Sequence, residues 1–204
     1  MAPTGSNWRA GDKGLTFLVG LALFVALIAT LLLGKAHHVD GGAMETTERH
    51  TAMTPRLNPY KAAPEAMKPL VALENYVQES GLDHSLIDLV KTCASQINGC
   101  AYCIHMHTSE ARARGETEER LYLLDAWHES PLYNERERAA LAWTEAVTLV
   151  SETHVPDGVY DQVRQHFSET ELVNLTMCVA AINAWNRVAI SFRSVHPMHW
   201  KGAA

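Results

Sequence analysis

SQINGCAYCIHMHTSEAR, residues 95–112, holds a helix stop, a helix start and a pair of thiols. Asn98-Gly99 is a stop signal, because an amide that tolerates left-handed backbone is followed by the residue that adopts it most readily. From Cys100 the helical spacing of apolar residues resumes, and Gly115 supplies the next stop, so a helix is predicted over about Cys100 to Arg114. On that helix Cys100, Cys103 and His107 fall at i, i+3 and i+7 and share one face, with His107 a turn beyond Cys103. Both sulfurs would lie in the first turn, where unpaired N–H groups and the positive dipole end favour thiolate. The arrangement is a thiol pair with a base on the same face.

Outward from this turn the apolar residues recur at three- and four-residue intervals, and no stretch alternates strictly enough to nominate a sheet. The predicted fold is therefore all-α. Met67, Leu70, Val71, Leu73 and Val77 mark a first helix ending before Gly81. Asp83 caps a second that carries Leu86, Ile87, Leu89, Val90 and Ile97. Thr117 starts a short helix through Trp127, Asn134 precedes a long amphipathic one, and Asp157 to Phe167 gives another. Ser168-Glu169-Thr170-Glu171 is a capping box that opens the last helix, which should fray before Pro197.

The chain has 204 residues, 47% hydrophobic and 20% charged, which fits one folded domain with an appendage and excludes a disordered or collagen-like chain. A net charge of -6 with no long Lys/Arg run argues against binding a nucleic-acid backbone. The appendage is Leu15–Gly34, an uncharged apolar run long enough at helical rise to span about 30 Å of hydrocarbon. It reads as a single transmembrane helix, with a cleaved signal peptide as the competing reading because Gly34-Lys35-Ala36 is a poor small-x-small site. Arg9 and Lys13 before it, against Asp40, Glu45 and Glu48 after it, place the N-terminus inside and the main domain outside the cytoplasm. A free CxxC pair is easier to keep reduced in the cytosol, which is where the domain would sit if Met44 or Met53 were the start. The organisation expected is an N-terminal flank over 1–14, a transmembrane helix over 15–34, a Gly-, Thr- and Pro-rich linker over 35–63, a helical domain over 64–196 and a tail over 197–204.

Three readings compete at the cysteines. A c-type haem needs CxxCH, and Ile104 follows Cys103. Zinc could take Cys100, Cys103 and His107, but a closed site needs a fourth ligand and no second CxxC or paired His offers one. Two packed core thiols are the third reading, which suits Cys93 and Cys178 better because both sit singly on apolar faces. His105 should point away from the sulfur stripe, and His128, His154 and His166 show no ligand pairing. His37, His38, His196 and His199 lie in the linker and the tail.

The run SQINGCAYCIHMHTSEAR, with RERAALAWTEAVTL (136–149) and AINAWNRVAISFR (181–193), resembles the carboxymuconolactone decarboxylase superfamily, in its AhpD-like alkylhydroperoxidase branch. The resemblance spans about residues 55–196. It implies an AhpD-like helical bundle that assembles into homo-oligomers, trimers or hexamers, and a hydroperoxide reductase without metal or other cofactor. In that scheme Cys103 attacks the peroxide and becomes a sulfenic acid, Cys100 resolves it to a disulfide, His107 is the base, and a thiol or dithiol reductant restores the pair. The branch's relay glutamate stands twelve residues before the first cysteine, where this chain has the shorter Asp88; Tyr102 occupies a position that is histidine in some members. True decarboxylases of the superfamily lack the cysteine pair. Trp143, Trp185, Asn183, Asn186 and Arg187 are expected to pack. Arg187 could also pair with an acid, and the two asparagines could satisfy backbone groups near the site. The alternatives are a zinc-binding or redox-sensing module and a thiol–disulfide oxidoreductase acting on proteins.

Overall fold

Helix ends in this chain are set by caps that the sequence spells out, and each cap aims a helix that the core then buries. The computed structural model describes residues 54–197; the flank, the transmembrane helix expected at Leu15–Gly34, most of the linker and the end of the tail lie outside them. Among the described residues there are helices and turns and no strand. The helices are α1 (Pro59–Ala62), α2 (Pro64–Gln78), α3 (His84–Ile97), α4 (Ala101–Ala113), α5 (Glu118–Leu123), α6 (Glu135–Thr148), α7 (Val150–Thr153), α8 (Asp157–Arg164) and α9 (Glu169–Phe192).

Asp83 accepts from the Ser85 N–H at 2.9 Å and starts α3, while capping boxes at Asn134/Glu137 and Ser168/Glu171 start α6 and α9. The last helix stops at Phe192, with Arg193 in left-handed backbone. Ordered structure begins before Pro64. Asn58 caps the one-turn α1, and Arg56 donates its N–H to the Phe192 carbonyl at 3.0 Å and a guanidinium N–H to the Ser191 carbonyl at 3.1 Å, closing the open end of α9.

Helix α3 is the centre of the bundle, packed against α4, α6 and α9. Every residue from Leu86 to Ser95 is buried, so it is covered on all sides rather than on one stripe. Its apolar side chains divide between clusters. Leu86, Ile87 and Val90 join Val77, Leu175 and Val179, while Leu89 and Cys93 join Leu124, Trp127 and Leu141. Each such fully buried Leu, Ile or Val contributes about 1.5–3 kcal/mol. Helix α9 is apolar and long enough by composition to cross a bilayer, yet Leu172, Leu175, Cys178, Val179, Ala181 and Ile182 are spent on the core.

Total burial of α3 also traps polar groups, each of which needs a partner. Lys91, 1% exposed, is paired with Glu74 of α2. Asp88 is held by Arg114, and Ser95 Oγ donates to the Lys91 carbonyl at 2.7 Å.

Candidate functional site

The turn between α3 and α4 places the thiols. Asn98 ends α3 by donating its N–H to the Ala94 carbonyl, Gly99 takes φ +67°, and the Cys100 N–H donates to the Ser95 carbonyl at 2.9 Å. No heavy atom lies within 4 Å of a Cβ built on Gly99, so glycine is needed there for its backbone alone. Cys100 becomes the N-cap of α4 in extended backbone, and Cys103 sits in the first turn.

Both sulfurs are buried at 1% exposure and lie 2.7 Å apart. At that distance they share one hydrogen bond, and the pair ionises as a unit. Its first proton is lost most readily from Cys100, whose thiol is lowered to about 7. The hydrogen bond to Cys103 contributes most; burial opposes it, and the Cys103 and Tyr102 N–H groups and the Asn186 amide add to the lowering. Cys103 is raised by the same hydrogen bond, by burial and by the Cys100 charge. A thiolate at one end of the pair thus suppresses the other.

His107 is buried on the same helix, and its Nδ1 lies 3.0 Å from Glu110 Oε2. Burial pushes the Glu110 carboxyl up, but the bond and charge of His107, with Arg114 and Lys91, bring it below the ordinary value. The expected relay acid, Asp88, is bonded elsewhere: Arg114 Nη1 lies 2.7 and 2.6 Å from its two oxygens. Burial outweighs that guanidinium and raises Asp88, while the charge of His107 acts on it more weakly. The direct carboxylate partner of His107 is therefore Glu110. Glu110 is not among the residues that the family resemblance nominates, although its i+3 spacing from His107 is the signal for such a contact.

The other candidates fall where packing puts them. Cys93 and Cys178 are both pushed up to about 12 with burial as the main cause. His105 stacks on His196, ring centroids 4.6 Å apart. Arg187 donates to the Asn183 carbonyl and side-chain oxygen instead of an acid. In α6, Arg136 bonds the His166 carbonyl and Glu171, and Arg138 gathers the Trp127, His128 and Ser130 carbonyls, so these arginines fasten loops. Among the described residues no three His, Cys, Asp or Glu side chains converge as metal ligands. A cavity of about 420 Å³ runs along α6 beside Trp127, His128 and Glu145, and its lining does not include the cysteines.

Residues 64–146 match the carboxymuconolactone decarboxylase family. The chain is 44% identical over 139 residues to the uncharacterized protein YdfG of Bacillus subtilis, covering 68% of this chain and 95% of that one. It is also 51% identical, with a TM-score of 0.70, to ATU0492 of Agrobacterium tumefaciens, covering 72% of this chain and 100% of that one. ATU0492 is a protein of unknown function for which an antioxidant-defence role as AhpD has been suggested. The debrominase Bmp8 shares the fold at 22% identity and a TM-score of 0.60, over 68% of this chain and 74% of its own.

Proposed function

The chain belongs to the carboxymuconolactone decarboxylase family, in its AhpD-like branch, and from that premise we propose that it is a thiol-dependent hydroperoxide reductase. The observation that carries the reading is the Cys100–Cys103 pair, 2.7 Å apart at the start of α4 with one thiol lowered to about 7. The lowered thiol is Cys100, and because the two sulfurs share one hydrogen bond, transfer of the Cys103 proton to the Cys100 thiolate moves the charge to Cys103, the sulfur that attacks peroxide in this reading.

In the proposed cycle Cys103 passes its S–H proton across to Cys100 or to His107 and attacks one peroxide oxygen. The O–O bond breaks, the alcoholate leaves and takes up a proton, and Cys103 is left as a sulfenic acid. The Cys100 sulfur then displaces hydroxide from it, forming the Cys100–Cys103 disulfide and water. A dithiol returns both sulfurs to the reduced state and is itself oxidised. His107, held by Glu110, accepts and returns protons. Asp88 acts on the base only through its charge, with Arg114 as its own partner.

We further propose a membrane attachment and an assembly for the domain. Residues 15–34 tether the domain to a bilayer as a single-pass helix, and the domain works as a homo-oligomer.

The test is consumption of an alkyl hydroperoxide by the full-length chain with dithiothreitol as reductant. Wild type should turn over, Cys103→Ser should not, and Cys100→Ser should leave a sulfenic acid that dimedone traps. Full turnover by Cys103→Ser would overturn the assignment. Stoichiometric zinc in protein purified without added metal would favour the metal-binding alternative.

A further inference from the structure

Behind the two sulfurs runs a chain of side-chain amides whose polarity is fixed at both ends. Asn183 Nδ2 donates to the Val179 carbonyl at 2.9 Å, and Arg187, which can only donate, reaches Asn183 Oδ1 at 2.9 Å. Asn98 Nδ2 donates to the Ala94 carbonyl at 2.8 Å, so the atom it offers Asn183 Oδ1 at 3.1 Å and Asn186 Oδ1 at 2.9 Å is also a donor. Asn186 must therefore answer Asn98 with its oxygen, which turns its NH2 the other way. On that side one acceptor is Ser95 Oγ at 3.1 Å, whose own proton is committed to the Lys91 carbonyl. Ser95 lies against the thiol turn, its carbonyl accepting from the Cys100 N–H, and Cys100 and Cys103 pack in one buried cluster with Ile182 and Ala189, a turn to either side of Asn186, so the second N–H of the amide is turned toward the side of the bundle that holds the sulfurs.

Asn186 is 0% exposed, in a helix whose other buried side chains are mostly apolar. A buried amide is costly unless its donors are used, and each donor here has a target. We propose that Asn186 is a catalytic residue, whose Nδ2–H donates to the Cys100–Cys103 sulfurs and holds the thiolate with which the reaction begins. Ser95 and Asn98 are positioning residues that keep the amide turned toward the pair. They flank the same turn that presents the thiols, so one local structure sets both nucleophile and donor. This assignment rests on the hydroperoxidase reading for its role in turnover, but the donation itself does not depend on the substrate.

The experiment is the pH dependence of iodoacetamide alkylation of Cys100 and Cys103 in the reduced full-length chain, read by mass spectrometry of the labelled peptides. Asn186→Leu should slow alkylation of the pair at pH 7 by about tenfold and move its midpoint up by about one pH unit. Asn186→Asp keeps the shape and the acceptor for Asn98 but replaces the donor with a carboxylate. It should slow the reaction further, and it stands in if the leucine is not accommodated. The titratable groups on the surrounding helices, among them His107, Lys91, Glu74 and Cys178, are the same in all the proteins compared. An unchanged midpoint in a folded variant overturns the inference, whatever the peroxide turnover. A shifted midpoint in a chain whose wild type leaves hydroperoxide untouched supports the donation and overturns the hydroperoxidase reading instead.

Discussion

Cys93 and Cys100 are two helical turns apart in sequence and equally hidden from solvent, at 3% and 1% exposure, yet their thiols are driven in opposite directions. Cys93 lies inside α3 among Leu89, Leu124, Trp127 and Leu141, where every nearby N–H is already used by the helix, and burial sends it up to about 12. Cys100 lies just past the helix break, where the hydrogen bond with Cys103 outweighs burial and the Cys103 and Tyr102 N–H groups and the Asn186 amide add to the lowering, and it falls to about 7. Burial alone does not decide reactivity. The supply of unspent donors does, and a helix start provides them.

The largest expected effect is kinetic selectivity. With equal burial and a thiolate level separated by about five units, iodoacetamide should label the Cys100–Cys103 pair at pH 7 more than about 100 times faster than Cys93 or Cys178 in the native chain. Equal labelling of all four thiols would break the comparison. Next is the cost of removing a partner from a buried charge. Glu74→Ala strands the Lys91 ammonium and should lower unfolding free energy by about 3 kcal/mol in a denaturant titration. Glu65→Ala, which removes an exposed pair with Lys68, should cost under about 0.5 kcal/mol.

A smaller effect belongs to the break between the two cysteines. Gly99→Ala meets no atom, so its whole cost is the left-handed backbone, about 1–2 kcal/mol. A neutral substitution would show that the turn does not depend on φ +67° at that position. The smallest concerns Glu110. Its folded value lies below the ordinary one, so the stability from its contact with His107 is present above the ordinary carboxylate range and is lost as pH falls through the lowered value. Glu110→Gln should melt earlier than wild type at pH 6 by the equivalent of about 0.5 kcal/mol, and the gap should close in acid. A gap that does not close as the carboxylate is protonated in acid would contradict the bond between Glu110 and His107.

What was legible in the sequence was mostly local. Asp83, Asn134 and Ser168 cap the helices they were expected to cap, because a cap is a contact within three residues. Asn98-Gly99 ends α3, and the thiol pair lands at the start of α4. The all-helical reading follows from the same periodicity. What could not be read was the pairing of buried polar groups across the chain. Asp88 was expected to serve His107, but Arg114 arrives from the far end of α4 to hold it, and Lys91 finds Glu74 on α2. The two asparagines were expected to satisfy backbone near the site. Asn183 does so at the Val179 carbonyl, whereas Asn186 bonds the side chains of Asn98 and Ser95, because α9 comes to lie against the α3–α4 turn only in the folded bundle. Arg56 falls within the linker expected over 35–63, since its contact with Ser191 and Phe192 leaves no periodicity to see.

On the proposed function, peroxide should join Cys100 to Cys103 and leave Cys93 and Cys178 alone. This is tested most directly by the mass of the full-length chain before and after one equivalent of cumene hydroperoxide, with remaining thiols alkylated under denaturing conditions. Two alkylation sites should be lost, mapping to Cys100 and Cys103, with Cys93 and Cys178 still labelled. Four labelled cysteines after peroxide would contradict it.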